Sequence, residues 1–187
     1  MAEFAAHGYA GARISAIATR AGVNQQLISY YFDGKEGLYQ AMSERWQQRE
    51  VELVPPGLPL PEQLRRYALE ALSNPDGVRL MAWGGLNYAG PQTDPDQARR
   101  SERLQGSVDE IRALQVAGGL PADLDPACVL IMLMAAAMAP TTLPHVIEGV
   151  CQVDPSSPEF IQHYADQLAL LTQHLGLGAV GSPDIEQ

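Results

Sequence analysis

A chain of 187 residues, 46% of them hydrophobic, can fill a core of its own and is neither a disordered segment nor a small disulfide scaffold. Its 22 acidic against 12 basic side chains leave a formal charge of -10, which excludes coating of nucleic acid or an anionic membrane by bulk attraction. Any contact with a polyanion has to be local.

The charge is unevenly spread. Residues 1–47 set Arg13, Arg20, Lys35 and Arg45 against Glu3, Asp33, Glu36 and Glu44 and are neutral, whereas residues 113–187 hold eight acids and no lysine or arginine. Only the N-terminal part is electrostatically open to an anionic partner. Met1 is followed by Glu3 and His7 rather than by a basic, apolar leader, so a cytoplasmic protein is expected, with Cys128 and Cys151 as buried, reduced thiols.

The most informative run is residues 13–38. Ile14, Ile17 and Ala18 share one face of a short helix, and Ala21-Gly22-Val23-Asn24 breaks it, Gly22 supplying the backbone freedom of the turn. Asn24 then caps a second helix, in which Leu27 and Ile28 are expected to point inward while Gln25, Gln26, Ser29 and Tyr30 fall mainly outward. A small apolar helix, a glycine turn and a second helix with a polar outer face make a helix-turn-helix. Such a helix in a major groove needs hydrogen-bonding side chains: glutamine pairs bidentately with adenine, while tyrosine and serine reach phosphates. Lys35 and Arg13 are placed to neutralise phosphates.

The proline-rich residues 54–61 divide this module from a larger remainder. After Pro61, Leu64, Tyr67, Ala68, Ala71 and Leu72 form an amphipathic helical stripe; Leu104, Val108 and Ile111 repeat the pattern, and so do Phe160, Tyr164, Leu168, Leu171 and Leu175. Proline and glycine punctuate residues 74–77, 90–95, 118–121, 140–144 and 154–158. No alternating strand pattern is found. Residues 127–139, closed by Pro140, are the least polar stretch; at about 1.5 Å per residue they cover roughly 20 Å of a bilayer core about 30 Å thick, so a buried helix is expected and not a membrane span. Met81, Trp83, Tyr88, Met132, Met134 and Met138 are adaptable side chains that either line an apolar pocket or fill the core. The helices over residues 123–139 and 156–175 have broad apolar surfaces and almost no cations, which a twofold partner would cover.

Several patterns carry no chemistry. His163 and His174, three helical turns and roughly 16 Å apart, cannot share a metal. No recognisable catalytic pattern, metal-ligand spacing or cofactor signature is present. Residues 176–181 spell a dinucleotide fingerprint but follow a helical pattern instead of a strand, so they are read as a helix cap and a tail frayed beyond Leu175.

Residues 1 to about 45 resemble the DNA-binding domain of the TetR family of bacterial repressors, through Gly8-Tyr9, Ile17-Ala18, Ala21-Gly22-Val23, Tyr31-Phe32 and Lys35-Glu36. The resemblance implies an all-α protein with a three-helix helix-turn-helix domain over residues 1–45 and a helical ligand-binding and dimerisation domain over residues 46–187. It implies that Gln25, Gln26, Ser29 and Tyr30 face the groove of a double-stranded DNA operator, with Arg13, Ser15, Tyr31 and Lys35 near its backbone. It further implies a homodimer through helices 123–139 and 156–175, and a small-molecule effector, for which Met81, Trp83, Tyr88, Met134 and Met138 are the candidate lining. Ser29 stands where the family often has tyrosine, and family members usually carry about ten further, often basic residues ahead of residues 4–8, so the first helix is expected to be cut in half; either the start is misassigned or the arm is missing, and if it is missing, packing of the small domain and DNA affinity should suffer. A helical ligand-binding dimer with an impaired DNA domain is the alternative reading.

Overall fold

The computed structural model describes residues 1–90 and 97–177. Every regular element among the described residues is helical: α1 (Ala2–Gly11), α2 (Ile14–Ala21), α3 (Gln25–Phe32), α4 (Gly34–Leu53), α5 (Leu60–Ser73), α6 (Asp76–Leu86), α7 (Gln97–Val116), α8 (Pro126–Thr142), α9 (Pro144–Cys151) and α10 (Pro158–His174). They form two compact units that interleave along the chain: Met1–Leu53 with Asn74–Arg99, and Val54–Ser73 with Arg100–Gln187.

In the first unit α6 packs along α1. Gly8 (φ 67°, ψ 176°) kinks α1 and leaves a bare backbone that Trp83 of α6 covers, its Cε3 lying 3.6 Å from where a Cβ would stand. Phe4 is fully enclosed, and its ring meets Tyr9 and Tyr39, whose own centroids lie 5.0 Å apart edge to face. Short as α1 is, these aromatics give the unit a core.

The second unit is centred on α5, α8 and α10. Ala68 and Ala165 are completely buried, and residues this small let α5 and α10 approach closely around Leu64, Ala137 and Leu168. Across the rim of that contact Arg65 Nε donates to Asp166 Oδ1 at 2.6 Å, and between α8 and α5 Thr141 Oγ1 donates to the Ala71 carbonyl at 2.7 Å.

Pro140 does not close its helix as expected; α8 runs through it to Thr142. Proline lacks the N–H that would bond the carbonyl four residues back, that of Ala136. The Tyr164 hydroxyl of α10 donates to that carbonyl at 2.7 Å, so the acceptor that Pro140 orphans is satisfied from a neighbouring helix. At Leu143 the chain turns by 80° into α9, and among the described residues no single helix is long and apolar enough to cross a membrane. Two further expectations are corrected. Cys128 and Cys151 are exposed rather than buried, Cys128 because it sits in the first turn of α8, where its N–H bonds the capping Asp125. The chain does not fray at Leu175: Gly176 turns left-handed (φ 73°) and Leu177 is buried with Ile111, Leu120 and Val129. Residues 178–181 of the apparent dinucleotide fingerprint, and 91–95 of one punctuation stretch, lie outside the described residues.

Candidate nucleic-acid interface

The turn between α2 and α3 is built from local chemistry. Gly22 is left-handed (φ 67°, ψ 27°), and the Val23 N–H bonds back to the Ala18 carbonyl at 3.0 Å, closing α2. Asn24 is extended, and its Oδ1 accepts from the Gln26 N–H at 2.9 Å, opening α3 as the sequence predicts. Asp33 (φ 57°) and Gly34 (φ 88°) end α3 and launch α4.

Only Ile28 of α3 is buried. Gln25, Gln26 and Ser29 are exposed together and, with Asn24, line one shallow polar concavity; Tyr30 stands beside them, 81% exposed. Tyr31 is 72% exposed, edge to face with Tyr30. The expectation that Leu27 points inward is corrected: it is 45% exposed, because eight residues make little more than two turns and Ile28 alone faces α2 and α4. Arg13 and Ser15 at the start of α2 are exposed.

Lys35 is placed differently from a free surface cation. Its Nζ donates to the carbonyls of Ala10 and Ala12, both at 3.0 Å, and sits 4.9 Å from the Tyr9 ring centroid. It therefore caps the C-terminal end of α1, where a cation suits the helix dipole. Burial, with Glu36 adding, pushes the Tyr9 phenol above its usual range and keeps the ring neutral. Two of the three ammonium hydrogens are engaged, leaving one for an outside acceptor. Sequence reasoning also missed Glu3, which is buried and accepts from the Arg13 N–H at 3.4 Å, so α1 anchors the start of α2.

The five apolar candidates for effector binding are divided. Met81, Trp83 and Tyr88 lie on or just beyond α6 in the first unit, Met134 and Met138 on α8 in the second. An open groove along α5 and α10, lined by Arg65, Asp166 and Leu170 among others, includes none of them.

Comparison with known proteins agrees with this architecture. The sequence model "Bacterial regulatory proteins, tetR family" matches residues 1–42, and "Tetracyclin repressor-like, C-terminal domain" matches residues 60–160. The HTH-type transcriptional repressor SCO4008 of Streptomyces coelicolor is 34% identical over 140 residues, covering 73% of this chain and 70% of that protein. The chain belongs to the TetR family. Among solved structures of similar fold, SCO4942 of Streptomyces coelicolor, described as a transcriptional regulator, superposes with a TM-score of 0.70 at 29% identity over 92% of this chain and 91% of that one. A TetR-family regulator from Rhodococcus sp. shares the fold with a TM-score of 0.57 at 21% identity, over 92% and 91% of the two chains. As a member of the TetR family the chain is a DNA-binding transcriptional regulator.

Proposed function

We propose that this chain is a homodimeric repressor that leaves a palindromic operator when a small molecule binds. The observation that carries the reading is α3: a capped helix whose buried side is one isoleucine and whose outer side is two glutamines, a serine and two tyrosines. In this assignment residues 1–45 bind DNA, with Gln25, Gln26, Ser29 and Tyr30 at base edges and Arg13, Ser15, Tyr31 and the spare hydrogen of Lys35 at the backbone. Residues 46–187 bind the effector and dimerise. Met81, Trp83, Tyr88, Met134 and Met138 are the adaptable apolar side chains available to the effector. Two apolar faces support a twofold mate through α8 and α10, since Ile131, Met132, Leu170 and Leu171 are all exposed.

Coupling has a physical route. The α6 helix lies in sequence between α5 and α7, yet it packs on α1 through Trp83 and Gly8. A displacement of α6 is felt by α1, and through Lys35 and Glu3 by the start of α2 and α4. By linkage the effector and DNA each weaken the other to the same degree.

The test is equilibrium binding of the full chain to its operator and to shuffled duplexes. Arg13→Ala is expected to weaken binding to both alike, whereas Gln25→Ala changes sequence preference; equal losses on both duplexes for both variants count against the assignment. A second reading, a ligand-binding dimer with an impaired DNA domain, draws on the neutral N-terminal module and the engagement of Lys35. It predicts no difference between operator and shuffled DNA at any salt concentration.

A further inference from the structure

The outer surface of α3 carries no charged side chain. That narrows what it can read. Guanine offers two acceptors in the major groove, N7 and O6, which the donor forks of arginine or lysine match; adenine offers one acceptor and one donor, N7 and the N6 amino group, which a carboxamide matches with its own donor and acceptor. Gln25 and Gln26 are exposed carboxamides at the N-terminal end of α3, the end that meets base edges in a helix-turn-helix. The nearby cations do not compensate. Arg13 and Arg20 belong to the start and end of α2, the helix that crosses the phosphate backbone, and Lys35 is engaged at the end of α1.

A second, independent feature points the same way. Leu27 and Tyr31 lie four residues apart on one face of α3 and are 45% and 72% exposed, and Val23, in the turn ahead of the capping Asn24, is 43% exposed. Leu27 follows the glutamines in sequence, and the core leaves this apolar surface partly open. The apolar group that a major groove displays is the thymine C5-methyl.

We infer that this regulator reads half-sites whose directly contacted core is A·T pairs, adenine taken by Gln25 with Gln26 beside it, and thymine methyls by Leu27. The inference rests on the DNA-binding reading above and adds the base identity. It is tested by selecting duplexes from a random pool with the full chain, then remaking the enriched site with 7-deazaadenine, which lacks the N7 acceptor, or with deoxyuridine, which lacks the methyl. A·T pairs are expected at the contacted positions, with affinity falling about tenfold at one 7-deazaadenine and measurably at one deoxyuridine. In a Gln25→Arg variant, with Gln26→Arg as its companion should the first not fold, one adenine position should become guanine.

Enrichment of G·C pairs at the contacted positions overturns the inference while leaving DNA binding intact. So does A·T enrichment that ignores both base analogues, because the preference would then come from duplex shape. A pool that yields no enriched sequence overturns the inference and the DNA-binding reading together.

Discussion

Two glycines near the interface show how differently one residue type is used. Gly37 lies in the first turns of α4, and a Cβ there would stand 1.7 Å from the Phe32 carbonyl oxygen, a backbone atom that cannot swing aside. Gly22 has nothing within 4 Å of such a Cβ and is required only for its left-handed φ of 67°. Gly37→Ala must therefore push the end of α3 away from α4, an overpacking cost of about 1–3 kcal/mol. Gly22→Ala pays only the left-handed strain, about 1–2 kcal/mol, with no clash added. Denaturant melts of the two variants give the order directly, and the larger loss should fall on Gly37→Ala together with the larger loss of operator affinity. If Gly22→Ala proves the more damaging, the close approach of α3 to α4 is wrong.

At the scale of the element, α8 poses the clearest test, because it holds a proline that helices do not ordinarily tolerate. Pro140 is fully buried, and the Ala136 carbonyl left without its helical donor takes the Tyr164 hydroxyl at 2.7 Å. Burial raises the Tyr164 phenol above its usual range, so it remains a donor well above neutral pH. Tyr164→Phe leaves a half-buried acceptor without its donor and is expected to cost about 1 kcal/mol. Pro140→Ala supplies the missing N–H, so in that background Tyr164→Phe should cost much less. A double-mutant cycle measures the coupling, and additive losses would remove the compensation argument. The sequence made the proline legible but not its partner, 28 residues from the carbonyl it serves. The same division holds across the molecule. The Gly22 turn and the Asn24 cap were readable because their bonds close within six residues, and helical periodicity located α5 and α10. The hold of Lys35 on Ala10 and Ala12, 25 and 23 residues away, was not readable, since a lysine beside a recognition helix looks the same whether it faces a phosphate or a carbonyl. Leu27 was misplaced because an eight-residue helix is too short for periodicity to separate its faces.

For the whole molecule, the sign and spread of charge decide how it handles DNA. Eight acids and no cations in residues 113–187, within a total of -10, make indiscriminate adhesion to a polyanion unfavourable. In the proposed assignment of residues 1–45 to DNA, favourable contact falls on the few cations of that module, Arg13, Arg20, Lys35 and Arg45. Each phosphate neutralised contributes about 0.9 to the slope of log affinity against log salt. Two subunits acting together thus reach at most a slope of about seven, or about five if Lys35 spends its charge on α1. One subunit alone reaches half as much. A salt titration on the operator consequently reports three things at once: a slope near zero removes DNA binding, a slope above about four requires two half-sites engaged together, and the change on Lys35→Ala reads the share of that ammonium. Because Lys35 also holds α1, that variant should lose thermal stability even where its slope is unchanged; a variant that keeps its melting temperature and loses the slope of a full contact would make Lys35 a phosphate ligand and not a cap.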